Sequence, residues 1–326
     1  MTRDVLLGFD IGGTKMAVVV GTLSGEVIAR HEFPSLGPED TRRNFIDWGR
    51  TLLGNIPGGH LLACGIAAPG PMSSRRGMVL TPPNMPAWRD EPVKAWIEEA
   101  FGVPTGMEND ANAAAVAEWC WGLHKKVDNL IYLTCGTGMG AGLILNGHLY
   151  RGKDDLAGEV GHLRILPLGP VGFFKAGSLE GLTRGGALAD LARLRIQEPH
   201  APSTLDAIDP VGFTGQIVGE AALSADPLAR AVVIESATYL GQGCALLIDI
   251  LNPERISLGS IARRLGTLYV DAVRDAARRE AIPAAFAGCV IDVAALGDAV
   301  QDRGALAVAR EAAERSGVVI ERPAAP

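Results

Sequence analysis

Apolar positions at the start of the chain fall in short runs broken by glycine. Residues 5–9 form one run, Gly12-Gly13 a turn, residues 16–20 a second run, Ser24-Gly25 a turn, and residues 27–33 a third. The pattern predicts three strands joined by hairpins, because a parallel crossover needs about a dozen residues or more. The period then changes. Phe45, Trp48, Leu52 and Ile56 share one face of a helix predicted over 41–56. A buried strand follows at 61–67, a helix at 92–101 opened by Pro92, and a short strand around Gly106-Met107. An alanine-rich helix comes next at 111–121, with Asp110 and Asn112 as candidate caps.

The second half repeats the theme. A strand at 129–134 leads into a glycine-rich loop at 136–142 and a strand at 143–145. The Asn146-Gly147 hairpin signal then turns the chain into 148–150. Both halves therefore read as strand, glycine turn, strand and hairpin, a repeat of architecture without sequence identity. A long, largely apolar helix over 228–251 stops at Asn252-Pro253, a strand follows at 255–258, and Gly259-Ser260 leads into another helix. The residues at 322–326 are rich in alanine and proline and are expected to fray.

A chain of 326 residues suffices for two domains, and 48% hydrophobic with 21% charged residues is a globular composition. The formal net charge of −7 opposes nucleic-acid binding, and the pairs Arg75-Arg76 and Arg263-Arg264 read as solvated faces. The five cysteines are scattered and have no metal-ligand spacing, which suits reduced thiols packed as small hydrophobes. Asp10 and nearby glycines interrupt the first apolar stretch, so a signal peptide is not expected. No uninterrupted apolar run reaches membrane-spanning length. The expectation is a cytoplasmic protein without membrane or nucleic-acid partners.

Chemistry concentrates in two glycine loops. In Asp10-Ile11-Gly12-Gly13-Thr14-Lys15 the glycines let backbone N–H groups approach an anion, Thr14 adds a hydroxyl, and Asp10 is placed to hold magnesium through water. The segment departs from a P-loop because Thr14 precedes Lys15 and a strand follows. The second loop contains Gly136, Thr137, Gly138 and Gly140. Its dinucleotide-like spacing lacks the helix which that motif must open, and this disfavours a nicotinamide enzyme. A third candidate is the strand-to-helix junction at Gly259-Ser260. Ordinary turns compete with each of these readings.

Together these residues resemble the ROK family (repressors, open reading frames and kinases) of the actin/hexokinase-like superfamily. Asp10 to Lys15 matches its DIGGTK loop, and Glu108-Asn109-Asp110-Ala111-Asn112 its END-A-N segment. Gly136 to Gly142 matches GTGxGxG, Gly158 to His162 matches GE-[IV]-GH, and Pro82 to Trp88 looks like PNLPGW. The resemblance spans about 6–309. It implies an α/β, two-domain, actin-like ATPase (ribonuclease H-like) fold with a nucleotide and sugar cleft between the domains. The small domain is expected at 1–112, the large one at 113–295, a helix at about 296–316 returning to the small domain, and a tail at 317–326.

The same resemblance implies an ATP- and Mg²⁺-dependent sugar kinase acting as a homodimer. Asp110 would be the general base. Gly70, Asn84, Asn109, Glu159, His162 and Glu180 would join it in binding sugar, and the three glycine sites would hold nucleotide. Two departures stand out. The family's Cys-x-Cys-x-x-x-x-Cys-Leu-Glu zinc segment reads Gly169 to Glu180 here without cysteine, so no structural zinc is expected, and Phe173 and Phe174 are expected to fill its space. The family's triple glycine reads Gly259-Ser260-Ile261. Alternatives are a sugar-binding sensor or pseudokinase, an N-acetylhexosamine or fructose kinase, and polyphosphate as donor. The repressor reading lacks a helix-turn-helix ahead of Val5.

Overall fold

A computed structural model of the protein describes residues 3–123 and 127–319, so the tail at 322–326 lies outside the described residues. The chain divides into two compact units. One comprises Met1–Lys126, Leu149–Ala157 and Asp298–Pro326, and the other Val127–His148 and Gly158–Gly297.

The first unit holds β1 (Arg3–Ile11), β2 (Lys15–Gly21), β3 (Val27–Pro34), β4 (Gly59–Ala68), the short hairpin β5 (Met72–Ser73) and β6 (Met78–Val79), and β7 (Thr105–Asn109). Its first three helices are α1 (Pro38–Gly54), α2 (Val93–Phe101) and α3 (Asp110–Ala117). The main sheet runs β3-β2-β1-β4-β7. The β1–β2 and β2–β3 pairs are antiparallel, and the β1–β4 and β4–β7 pairs are parallel. The opening apolar run has no polar alternation because β1 is covered on both faces. Phe9 lies 5.0 Å from Phe45 of α1 on one face. On the other, Leu6 packs with Leu306 of the C-terminal helix, Val300–Arg315.

That helix sits in a row of glycines. Gly8 of β1 pairs with Gly65 of β4, which pairs with Gly106 of β7. A Cβ on Gly65 would stand 2.1 Å from the Ala305 carbonyl oxygen, and one on Gly106 would stand 2.8 Å from that of Val308. Backbone meets backbone here, and only glycine leaves the room.

The second unit repeats this topology. Its strands are β8 (Leu130–Cys135), β9 (Met139–Leu145), β10 (His148–Leu149), the small hairpin β11 (Val171–Gly172) and β12 (Lys175–Ala176), β13 (Arg255–Leu258) and β14 (Val290–Val293). The sheet order β10-β9-β8-β13-β14 again puts the earliest strand at the centre, its hairpin neighbours on one side and two parallel strands on the other. The predicted loop at 136–142 is shorter in fact, since β9 begins at Met139. Gly140 and Gly142 are strand residues opposite Thr134 and Tyr132.

Helices α4 (Leu179–Thr183), α5 (Ala187–Arg195), α6 (Gly215–Leu223), α7 (Pro227–Leu251), α8 (Ile261–Leu265), α9 (Thr267–Glu280) and α10 (Pro283–Ala287) complete the second unit. By length and composition α7 could cross a membrane, but Arg230, Glu235 and Asp249 interrupt it and 61% of its apolar window is buried. It is a core helix. At Gly241 a Cβ would stand 2.5 Å from the Val273 carbonyl of α9, which shows how closely the two helices cross. Asp226 caps its start by accepting the Ala229 N–H, and Asn252, at φ 45°, ends it.

Candidate functional site

In the first unit the chain leaves β1 after Ile11 and re-enters the sheet at Lys15. Gly12 makes that turn possible, because a Cβ there would stand 2.5 Å from the Lys15 carbonyl oxygen. Gly13 and Thr14 are exposed at the tip. Lys15 Nζ is 2.9 Å from Glu32 Oε2, so its charge is already paired. Arg30 shares Glu32 and also forks onto Asp302 of the C-terminal helix at 3.0 and 2.8 Å. Burial, followed by the carboxylates of Asp110 and Asp302, pushes the Asp10 carboxyl up to about 7 against the pull of Lys15 and Arg30. Asp10 and Asp110 thus share one electrostatic neighbourhood.

Asp110 opens α3, but it does not cap it. Asn109 does, its Oδ1 accepting the Asn112 N–H at 2.7 Å, which corrects the expectation that Asp110 and Asn112 serve. The cap uses the Asn109 side-chain oxygen and not its amide nitrogen. Asp110 Oδ1 accepts the Ala111 N–H at 2.8 Å. Burial raises the pKa of Asp110, and N–H groups of Ala111 and of Asp110 itself oppose the rise. The residue still presents exposed surface, so its carboxyl is enclosed by protein yet reachable. Glu108, the first letter of the motif, faces elsewhere. It is 2% exposed and bonded to Arg151, and burial pushes it up to about 7.

Two weaker candidates also lie in this unit. Asn84 stands beside the first loop, its Cβ 3.6 Å from where a Cβ on Gly13 would be. The loop carrying it is anchored by buried Met85 and by Trp88, whose Nε1–H donates to the Leu36 carbonyl at 3.1 Å. Gly70 is exposed, with nothing within 4 Å of a Cβ built there.

The second unit gathers the other candidates in two places. Glu180, in the first turn of α4, accepts the Met139 N–H at 3.0 Å and so touches the start of β9. A Cβ on Gly161 would stand 3.0 Å from the Met139 carbonyl oxygen and 3.2 Å from the Glu180 Cβ. The Glu159–His162 turn, Glu180 and the second loop therefore adjoin. Glu159 and His162 are both exposed. Lys175 donates to the His162 carbonyl at 2.6 Å, and the His162 ring meets the Phe173 edge with centroids 5.1 Å apart.

Phe173 and Phe174 correct an expectation. They do not fill an interior space but form the tip of the β11–β12 hairpin, 55% and 95% exposed, at φ 41° and 63°. Among the described residues no group of three or more His, Cys, Asp or Glu is placed to hold a metal.

The other gathering is at Gly136, Thr134 and Ser260. A Cβ on Gly136 would lie 3.7 Å from Ser260 Oγ, and Thr134 Oγ1 is 3.2 Å from Ser260 Oγ. Gly136 N–H donates to the Gly138 carbonyl at 2.9 Å, leaving Thr137 and Gly138 exposed at the turn. A Cβ on Gly259 would strike the Tyr132 hydroxyl at 2.5 Å. Ser260 adopts φ 47° and ψ −102°, a conformation that favours glycine. Sequence reasoning missed the capping role of Asn109, the Glu180–Met139 bond and the carboxylate Asp302. The last carried no local signal, since it is a helix residue brought to Asp10 by the fold.

This duplicated 3-2-1-4-5 sheet, with helices closing each face, defines an actin-like ATPase fold. The chain belongs to the ROK family, whose model matches residues 6–312. It is 30% identical to a glucokinase of Halalkalibacterium halodurans over 90% of this chain and 91% of the relative. It is 28% identical to a xylose repressor of Caldicellulosiruptor bescii over 94% of this chain and 79% of the relative. Among solved structures it is similar to a ROK family glucokinase from Streptomyces griseus in complex with glucose and AMPPNP. That match has a TM-score of 0.74, 30% identity, and coverage of 94% of this chain and 99% of that one.

Proposed function

We propose that the protein is a sugar kinase that transfers a phosphoryl group from ATP to a hydroxyl of a hexose. The observation that carries this reading is Asp110. Its carboxyl is relieved of capping by Asn109, meets no cation among the described residues, and is raised in basicity by burial. A sugar hydroxyl is a poor nucleophile at neutral pH, and a carboxylate of raised pKa is a better proton acceptor than an ordinary one. Asn109, with its amide nitrogen unspent on the helix, would orient the same sugar, and Asn84, Glu159, His162 and Glu180 would take further hydroxyls.

Asp10 would hold magnesium through water, its carboxylate being the kind of hard oxygen donor such an ion takes. When bound, the ion would neutralise phosphate charge. The turn N–H groups at Gly12, Gly13 and Thr14, and those at Gly136, Thr137 and Gly138, would meet phosphate oxygens. Support for ATP as donor comes from the AMPPNP complex of the S. griseus relative.

A second reading, a sugar-binding sensor on the same fold, draws on the similarity to a xylose repressor and on the strained Ser260. A screen of hexoses and amino sugars with ATP and magnesium, read as sugar-dependent ADP release, separates the two. Turnover with one sugar class is expected. Saturable sugar binding with no ADP release from any sugar would favour the sensor.

A further inference from the structure

The first unit contains a cavity of about 490 Å³ for which the kinase reading has no use. We propose that it binds a small phosphate monoester. Its charged lining is Arg75, Lys94, Arg151 and Arg315 against Glu98 and Glu108. Four cations meet these two carboxylates and Glu311, which bonds both Arg151 and Arg315, and this leaves +1 in a chain whose formal net charge is −7. The basic side chains come from four separate places: the tip between β5 and β6, helix α2, the segment after β10, and the end of the C-terminal helix.

The cations are positioned before any ligand arrives. Arg151 Nε lies on buried Glu108, and its Nη2 donates to both oxygens of Glu311 at 3.1 and 3.2 Å. Glu311 also holds Arg315 at 3.3 Å. The tip carrying Arg75 is fixed next door, where Ser74 donates its N–H and its hydroxyl to the Asp155 carboxylate at 2.9 and 2.7 Å. Arg75 itself has no carboxylate partner among the described residues and is exposed. A site built this way spends little ordering entropy on binding.

The chemistry selects the ligand. Guanidinium groups match the oxygens of a phosphate in pairs, and Arg75, without a carboxylate partner among the described residues, is the cation left to meet a monoester. The volume lies within the usual range of small-ligand sites, about 300–1,000 Å³. Sugar phosphates and other small phosphate esters share this chemistry. Arg151 connects the cavity to Glu108, which precedes Asn109 and Asp110, so occupancy would be felt at the start of α3.

The test is calorimetric and needs no turnover, so its failure leaves the kinase reading standing. Glycerol 3-phosphate and glucose 6-phosphate are titrated into the full chain, each with and without saturating glucose and a non-hydrolysable ATP analogue. The expected result is one site per chain that persists when those compounds are present and weakens as salt rises. Arg75→Glu and Arg315→Glu, both on exposed side chains, should each weaken it by about tenfold or more, the usual worth of a charge-assisted hydrogen bond. Glucose 6-phosphate binding alone would narrow the ligand to sugar esters. Absence of saturable binding by both esters, displacement of both by the active-site compounds, or wild-type affinity in both variants would overturn the proposal.

Discussion

Asn109 Oδ1 accepts the Asn112 N–H at 2.7 Å, and this one bond decides what its neighbour Asp110 is free to do. Asn109→Ala should cost about 1 kcal/mol of unfolding free energy, the usual worth of an N-cap, and should also raise the KM for sugar. Asn109→Asp should keep the cap but not the amide donor, so stability should recover while KM does not. Urea unfolding and steady-state kinetics on both variants check the pair.

The pH profile should carry a high acid limb. Asp10 and Asp110 both have raised pKa values, and in the proposed kinase both would act deprotonated, one toward a cation and one as base. Activity should therefore be full above the raised values and fall as pH drops through about 7, where Asp10 titrates. Asp302→Asn removes one of the carboxylates that raise Asp10, so the limb should move to lower pH. A kcat/KM profile flat down to the ordinary carboxylate range would contradict this.

Ser260→Gly should stabilise the protein by roughly 1 kcal/mol, because a non-glycine residue at φ 47° pays a local strain that glycine does not. The gain is reduced by the lost contact with Thr134 and by the freer unfolded chain. Chemical denaturation with and without ATP checks it.

Gly65→Ala should destabilise by about 1–3 kcal/mol, the usual cost of overpacking, because the Ala305 carbonyl occupies the space of the new methyl group. An unchanged urea midpoint would mean that the C-terminal helix does not lie in the glycine row.

The sequence displayed the strand runs and the repeat because hydrophobic period and turn residues are local. Residues 5–9 read as a strand whichever face they bury. The glycine row was not legible, since Gly8, Gly65 and Gly106 meet only through strand register and matter only once the helix is laid on them. The start of β9 was misread because glycines at 140 and 142 look like loop, although they face Thr134 and Tyr132 in a ladder. Asp10 and Asp110 stood out in their motifs. That Asn109 rather than Asp110 caps α3 depends on which residue takes the extended backbone before the first turn, and both types suit it. Phe173 and Phe174 were expected to fill the space of the family's missing zinc cysteines, but a hairpin tip has no interior to offer.

The most direct test of the account is the turnover of Asp110→Asn with ATP, magnesium and the best sugar of the screen. Asparagine keeps the size and the local hydrogen bonding but cannot accept the hydroxyl proton. The expected result is a kcat lower by on the order of 10²–10⁴ with sugar KM little changed, the usual share of general-base catalysis. A variant that turns over at the wild-type rate would contradict the account.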